Sequence, residues 1–311
     1  MAGRPSSLRR SRLDRRLDRI RDSAVSGPLR SHERRYLGRF LRNRLAASGL
    51  LVFVLIIAAT LLAPLLTSYD PQKIDLTSIL RPPSATHWFG TDKTGRDVFA
   101  RILYGGRISI LVGLGSAVLA ALIGVSLGCY AGYRGGWLDA VVLRASELVM
   151  SFPEIILVLM LVAILGQSLS NLILIFVVTG WGNTFRLTRA RMLALREEEY
   201  VQALRSFGFT PAEISFVHIL PNALGPIMVN VTLTTAAFIL AEAGLSFLGL
   251  GVPLNIPTWG NILNTAQDLR VLQNNWWMWL PVGCVISLFV LSVNFIGDGL
   301  RDATDPSRRA A

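Results

Sequence analysis

The chain has 311 residues, 52% of them hydrophobic and 16% charged, with a mean hydropathy of +0.48. Soluble domains carry about 25% charged residues, so this composition excludes an ordinary soluble protein and points to an integral membrane protein. The net charge of +11 is concentrated at one end: residues 1–45 hold 14 Arg against 4 acidic residues, a net +10.

Residues 1–45 read as a basic cytoplasmic tail. Such a tail suits nucleic acid, but it precedes an apolar span, and the positive-inside bias explains it with no nucleic-acid partner. Leu13, Leu17 and Ile20 fall on one helical face among arginines. Two readings stand for that stretch, a basic amphipathic helix on an anionic membrane surface or a solvated tail. The charged region is too long for a secretory signal.

The first span is predicted over 46–66, close to the roughly 20 residues that cross a bilayer. With the span, residues 46–106 form an N-terminal part whose stretch 69–106 lies outside the membrane. Gly90 and Gly95 suggest a phosphate loop, but Asp92, not Gly, precedes Lys93, so the pattern fails. Residues 107–303 form the main transmembrane domain. Its second span, about 108–133, carries Ser116, Ala120, Gly124, Gly128 and Gly132 at every fourth position, a stripe that lets two helix backbones approach closely. Arg134, Asp139 and Arg144 mark a short inner loop.

The third span, about 148–165, contains Pro153 and Glu154. A carboxylate in a span is costly unless it faces a polar passage or a partner. Glu154 is read either as a passage residue or as a residue near the inner interface, and its place early in the span favours the second. The fourth span, about 169–185, is followed by Arg186, Arg189, Arg191 and Arg196, which face the cytoplasm. Residues 197–222 then form the longest polar interruption of the C-terminal half. Tyr200, Ala203 and Phe207 share a helical face, Gly208 allows a sharp turn, Pro211 opens a second short helix, and Pro221 ends it. A helix–Gly–helix element between spans suits docking on another protein.

The fifth span, about 223–248, carries Glu242 inside an apolar run. Pinning the outer helix end and contacting substrate are equally open roles for it. Trp276, Trp277 and Trp279 read as an interfacial belt before the sixth span, about 279–296, and a short cytoplasmic tail at 304–311. Cys129 and Cys284 lie in apolar stretches and read as core residues. His32, His87 and His218 give no metal spacing. No catalytic constellation and no nucleotide-binding fingerprint is present, and both lysines, Lys73 and Lys93, fall on the outer side. The chain is therefore expected to be no enzyme, and to need a separate source of energy for uphill transport.

Several motifs resemble ABC-importer permeases of the oligopeptide/dipeptide/nickel branch. The 199–222 stretch resembles their cytoplasmic coupling loop, with Gln202-Ala203-Leu204, Gly208 and His218-Ile219-Leu220-Pro221 at the matching spacing. Gln202, Leu204 and His218 depart from the residues usual there. His87, Gly90-Thr91-Asp92 and Gly95-Arg96-Asp97 resemble the external signature H-x-x-G-T-D-x-x-G-R-D of that branch. The run EAGLSFLGLG and the ending GDGLRDATDP resemble it too.

The resemblance implies an all-α integral membrane fold of six transmembrane helices, the type I ABC importer permease fold with a cytoplasmic coupling helix. It implies no cofactor on this chain, with ATP and Mg on two partner ABC ATPase subunits. A second homologous permease subunit and an extracytoplasmic solute-binding protein complete the expected assembly, in the inner membrane of a bacterium or archaeon with both termini cytoplasmic. Tyr200, Ala203, Gly208, His218, Leu220 and Pro221 are the expected ATPase-coupling residues. Glu154, Glu242, Gly124 and Gly128 are the candidate pathway or helix-packing residues. The alternative is an ion-driven secondary transporter using Glu154 or Glu242.

Overall fold

The computed structural model describes residues 38 to 304, save residue 39. The amphipathic stretch around Leu13 and the C-terminal tail lie outside the described residues. Among those described the fold is all helix, with one isolated bridge between Thr91 and Asp97.

Helix α1 runs Arg44–Leu61 and a short α2 runs Ala63–Leu66. Asn43 caps α1, accepting from Leu45 N at 3.1 Å and Ala46 N at 3.3 Å. At the other end Arg107 donates to Thr60 O and Leu61 O, both at 2.7 Å, satisfying carbonyls that a helix end leaves open.

Helix α3 runs Val98–Ile110 and continues through a π-helical turn, Leu111–Gly115, into α4, Ser116–Arg134. The second span thus begins at Val98 rather than Ile108, because Asp97 caps the helix by accepting from Ala100 N at 2.7 Å. Helix α5 is Gly136–Met150, α6 is Glu154–Leu165 and α7 is Leu169–Leu195.

The predicted third span is corrected here. Residues 136–150 are helical rather than a loop, and α5 and α6 meet at 88°. Proline causes the break: it bars Phe152 from continuing the helix and supplies no N–H, so α6 restarts after Pro153.

Helix α8 is Glu199–Ser206 and α9 is Pro211–Glu213. A π-helical turn, Ile214–Ile219, then leads into α10, Leu220–Phe247. Pro221 does not stop the helix as expected. It sits in the first turn of α10, after the widened π turn has changed the carbonyl spacing its ring would otherwise strike. Residues 211–247 are therefore one continuous helical body. Helices α11 (Trp259–Leu263), α12 (Leu269–Asn274) and α13 (Leu280–Thr304) complete the chain.

Among the described residues four helical bodies are long and apolar enough to cross a membrane, 44–61, 98–134, 211–247 and 276–303, or five when α5 and α6 count as one bent span. Helix α7 falls outside that set; Asn171, Asn183 and Arg186 dilute its apolar character.

Lipid tails are as apolar as leucine, so these helices associate through close packing rather than expulsion of water. The small-residue stripe of α4 does this against α7. A Cβ on Gly124 would lie 2.7 Å from Trp181 O and 2.8 Å from Phe185 N, and one on Gly128 would lie 2.6 Å from Thr188 Cβ. A second core joins α3, α10, α11 and α13 around Trp259, Ile239 and Phe289. A third stacks Phe176 on Phe238 with ring centroids 4.8 Å apart. The N-terminal helix α1 is fastened to α13, where Asn43 Nδ2 donates to Asp302 Oδ2 at 3.1 Å.

Candidate functional site

The polar interruption at 199–222 folds as a short amphipathic helix, a tight turn and a return into the helical bundle. Val201 is fully buried on the inner face of α8, with Cys129, Met192, Ile214, Ile219, Ala223 and Ile227. At the end of α8 the chain makes a Schellman turn. Phe209 N donates to Leu204 O at 3.2 Å and Gly208 N to Arg205 O at 3.0 Å, with Gly208 at φ +80°. This left-handed conformation favours glycine. Thr210 and Glu213 then form a capping box that starts α9.

Side chains fix the turn from beneath. Arg205 Nε donates to Tyr133 Oη at 3.0 Å, with the guanidinium 5.2 Å from the Tyr133 ring centroid. His218 meets Phe209 edge-on with ring centroids 5.3 Å apart. Asn222 Nδ2 donates to His218 O at 3.1 Å. Burial raises the Tyr200 hydroxyl above its usual range, opposed by a hydrogen bond with Asn222.

The outer face of the element stays open. Tyr200, Ala203, Gly208 and Pro221 are exposed, His218 and Leu220 are half-buried, and Phe207 at the turn is 79% exposed. All six sequence-predicted residues thus belong to one compact element. A bare apolar ring beside a glycine turn can act as a knob for another protein's groove.

The remaining candidates are dispersed. Gly124 and Gly128 serve the α4–α7 contact. Glu242 is fully buried, where Ser109 donates to Oε2 at 3.0 Å and Ser246 to Oε1 at 2.9 Å. Ser109 Oγ in turn accepts from Trp259 N at 3.0 Å. Glu242 therefore joins α3, α10 and α11 near the end of α10 remote from the Gly208 turn. Glu154 lies exposed at the α5–α6 bend and takes no ion pair among the described residues.

The signature from His87 to Asp97 is tied by its own side chains and to the later chain, where Trp277 Nε1 donates to Thr91 O at 3.3 Å and Lys93 pairs with Asp268 at 2.6 Å. Asp92 binds Arg96 Nε at 2.7 Å and Arg101 Nη1 at 3.2 Å, and accepts from Thr94 N and Oγ1, each at 2.8 Å. Burial acts to raise the Asp92 carboxyl, but Arg101, Thr94 and Arg96 outweigh it and hold it below its usual range. His87 Nδ1 lies 2.8 Å from Asp97 Oδ2. Hydrogen bonds from Thr77 and Ser78 hold the Asp75 carboxyl down at about 2.

Sequence reasoning missed the bidentate pair of Arg189 with Asp139, at 2.5 and 2.6 Å. It also missed the hold of Asn261 Nδ2 on Val252 O, Pro253 O and Ile256 O at 3.0–3.1 Å. Residue type hinted at the first, since an acid and a base flank the same inner surface. Nothing in the sequence marks the second.

Comparison with known proteins accords with this architecture. Residues 124–310 match the family described as binding-protein-dependent transport system inner membrane component. Residues 34–83 match the N-terminal TM domain of oligopeptide transport permease C. A putative peptide permease protein of Brucella suis biovar 1 (strain 1330) is 44% identical over 97% of this chain and 98% of its own length. The oligopeptide transport system permease protein OppC of Bacillus subtilis (strain 168) is 40% identical over 87% of this chain and 88% of its own. The dipeptide transport system permease protein DppC of Alkalihalophilus pseudofirmus is 42% identical over 86% and 88%. Among solved structures, an inward-facing conformation of the MetNI methionine ABC transporter shares the fold at a TM-score of 0.50 and 21% identity. That match covers 66% of this chain and 96% of the other.

Proposed function

The chain belongs to the binding-protein-dependent transport system inner membrane components, and we propose on that premise that it forms half of the translocation pathway of an ABC importer for peptides. The names of the peptide, oligopeptide and dipeptide permeases it resembles support the substrate class. In this reading the second half is a homologous permease, two ATPase subunits sit beneath, and a binding protein delivers substrate from outside. The chain spans the inner membrane six times, with α7 counted as a span and both termini in the cytoplasm.

The observation that carries the coupling role is the continuity of residues 211–247, one helical body from the exposed Gly208 turn to the outer end at Glu242. The turn would sit in a groove on an ATPase subunit. Closure of the ATPase pair would then move that body as a lever between two packings of the bundle. ATP can drive this only by binding the two arrangements with different affinity.

The test is purification of the native complex in mild detergent, then reconstitution with its binding protein. Expected are a second permease and ATPase subunits in the complex, and peptide uptake that needs both ATP and the binding protein. Uptake by this chain alone on an ion gradient would refute the reading.

A further inference from the structure

Helix α6 is apolar at every position except its first residue, Glu154. That carboxyl is exposed and takes no hydrogen bond from a side chain among the described residues. On α7, Asn183 and Arg186 stand three residues apart on one exposed helix face. The polar contact of Arg186 is the sulfur of Met150 at 3.8 Å. The α5–α6 bend lies against this stretch of α7: a Cβ on Gly182 would meet both Met150 Sδ and Ser146 Cβ at 3.5 Å. An acid, an amide and a guanidinium thus surface beside one bend, while Arg189, three residues further along α7, is consumed by Asp139.

Glu154 opens α6 and Arg186 follows the apolar part of α7, so both stand at the inner end of the bundle, where exposed polar groups line the mouth of a water-filled passage or meet a partner. We propose that Glu154, Asn183 and Arg186 form a polar strip on the wall of the passage, and that the strip reads the two ends of a zwitterionic peptide. Arg186 presents a planar donor fork suited to a terminal carboxylate, Glu154 accepts from a terminal ammonium, and Asn183 bonds to the peptide backbone between them. The substrate class rests on the peptide-importer reading above; the strip's exposure to water does not.

The experiment uses the whole complex in proteoliposomes. In a Cys284→Ser background, with Cys129 buried, Glu154→Cys, Asn183→Cys and Arg186→Cys are treated with a membrane-impermeant cationic methanethiosulfonate. Leu174→Cys, on an exposed apolar position of α7, is the lipid-facing control. Labelling of the three strip positions is expected to fall when ATP and vanadate trap the complex in its other packing, with the control unlabelled in both states. A strip no more reactive than the control, or one that labels equally in both states in a complex that still transports, overturns the proposal.

For the charge reading, uptake by Arg186→Gln is divided by wild-type uptake for a peptide with a free C-terminus and for its C-terminal amide. The contribution of the binding protein cancels in each ratio. The free acid is expected to fall about tenfold and the amide to stay near wild type, the size of one lost charge-assisted hydrogen bond. Glu154→Gln is expected to act likewise on free against acetylated N-termini. Equal ratios for both forms overturn the assignment. If the wild-type complex carries no peptide while the strip still labels, the substrate class has failed and the passage wall stands.

Discussion

Arg189 grips Asp139 with both arms of its guanidinium, Nε to Oδ1 at 2.5 Å and Nη2 to Oδ2 at 2.6 Å. The pair ties α5 to α7 across 50 positions of sequence, and both side chains are largely sheltered. Such a fork contributes geometry as well as energy. Replacing Arg189 with lysine keeps the charge and loses the fork. Arg189→Lys and Asp139→Asn are each expected to cost about 2 kcal/mol, read as lower thermal unfolding temperatures in detergent. The double variant should cost clearly less than the sum of the two singles; full additivity would show that the pair does not couple.

At Gly208 the backbone φ of +80° and the donated N–H to Arg205 O are both denied to proline, whose φ is fixed near −65°. Gly208→Pro is expected to abolish uptake while the chain still inserts in the membrane. A β-carbon there meets no atom within 4 Å, so Gly208→Ala carries backbone strain alone, about 1 kcal/mol, and should keep most uptake. A charge at exposed Ala203, as in Ala203→Glu, should block uptake without unfolding. Normal transport by Gly208→Pro would show that this turn is not the coupling element.

How far the sequence foretold these features depended on how local their causes were. The Gly208 turn and the Pro211 start are set by neighbours within a few residues, and the residue type at each position exposed them; the capping box of Thr210 and Glu213 is equally local but was not read. The stripe from Ser116 to Gly132 was legible because a helix repeats every 3.6 residues. The break at Pro153 was not read, since the third span was drawn straight through that residue, and neither was α5 before it. That helix is held by Arg189, far along the chain, and periodicity carries no information about such pairs. Pro221 misled for a related reason, since the π turn that accommodates it is a property of the packed helix.

The Gly124 and Gly128 positions allow a sharp test of close packing. A Cβ at Gly124 runs into backbone atoms of Trp181 and Phe185, which cannot move aside as a side chain would. Gly124→Leu is expected to lower stability by at least about 3 kcal/mol and to reduce the yield of folded protein in membranes. Gly128→Ala, which meets the Thr188 side chain first, should cost less. A Gly124→Leu protein that unfolds at the wild-type temperature would show that α4 and α7 are not this close.

The segment around Asp92 has a defined response to acid. Asp92 is held below its usual range by Arg101, Thr94 and Arg96. A carboxyl depressed in the folded state adds stability above its unfolded value, near 3.9. That stability is lost as pH falls through the lower folded value. Protection of residues 75–97 against hydrogen exchange should therefore hold from neutral pH to about 4 and decline below it. Asp92→Asn should start less protected and lose little more on acidification. An identical acid response in Asp92→Asn would assign the loss to another group.

Glu242 gives the last test, because its burial is complete and its partners are hydroxyls rather than cations. Ser109 and Ser246 both donate to it, and Ser109 also receives Trp259 N, so one carboxyl organises three helices. Alanine here leaves two buried donors without an acceptor and opens a void. An unsatisfied buried group costs about 1–3 kcal/mol, so Glu242→Ala is expected to lose about 3 kcal/mol or more. Glutamine keeps the shape: its carbonyl accepts one hydroxyl, and its amide can donate to the other once that hydroxyl turns. Glu242→Gln should therefore cost less than half as much and retain substantial ATP-driven uptake. An ion-coupled role predicts the opposite order, with the isosteric amide as inactive as alanine despite a wild-type unfolding temperature. Comparing unfolding temperature with uptake in these two variants separates a carboxyl that holds the outer helix ends together from one that must change its charge during transport.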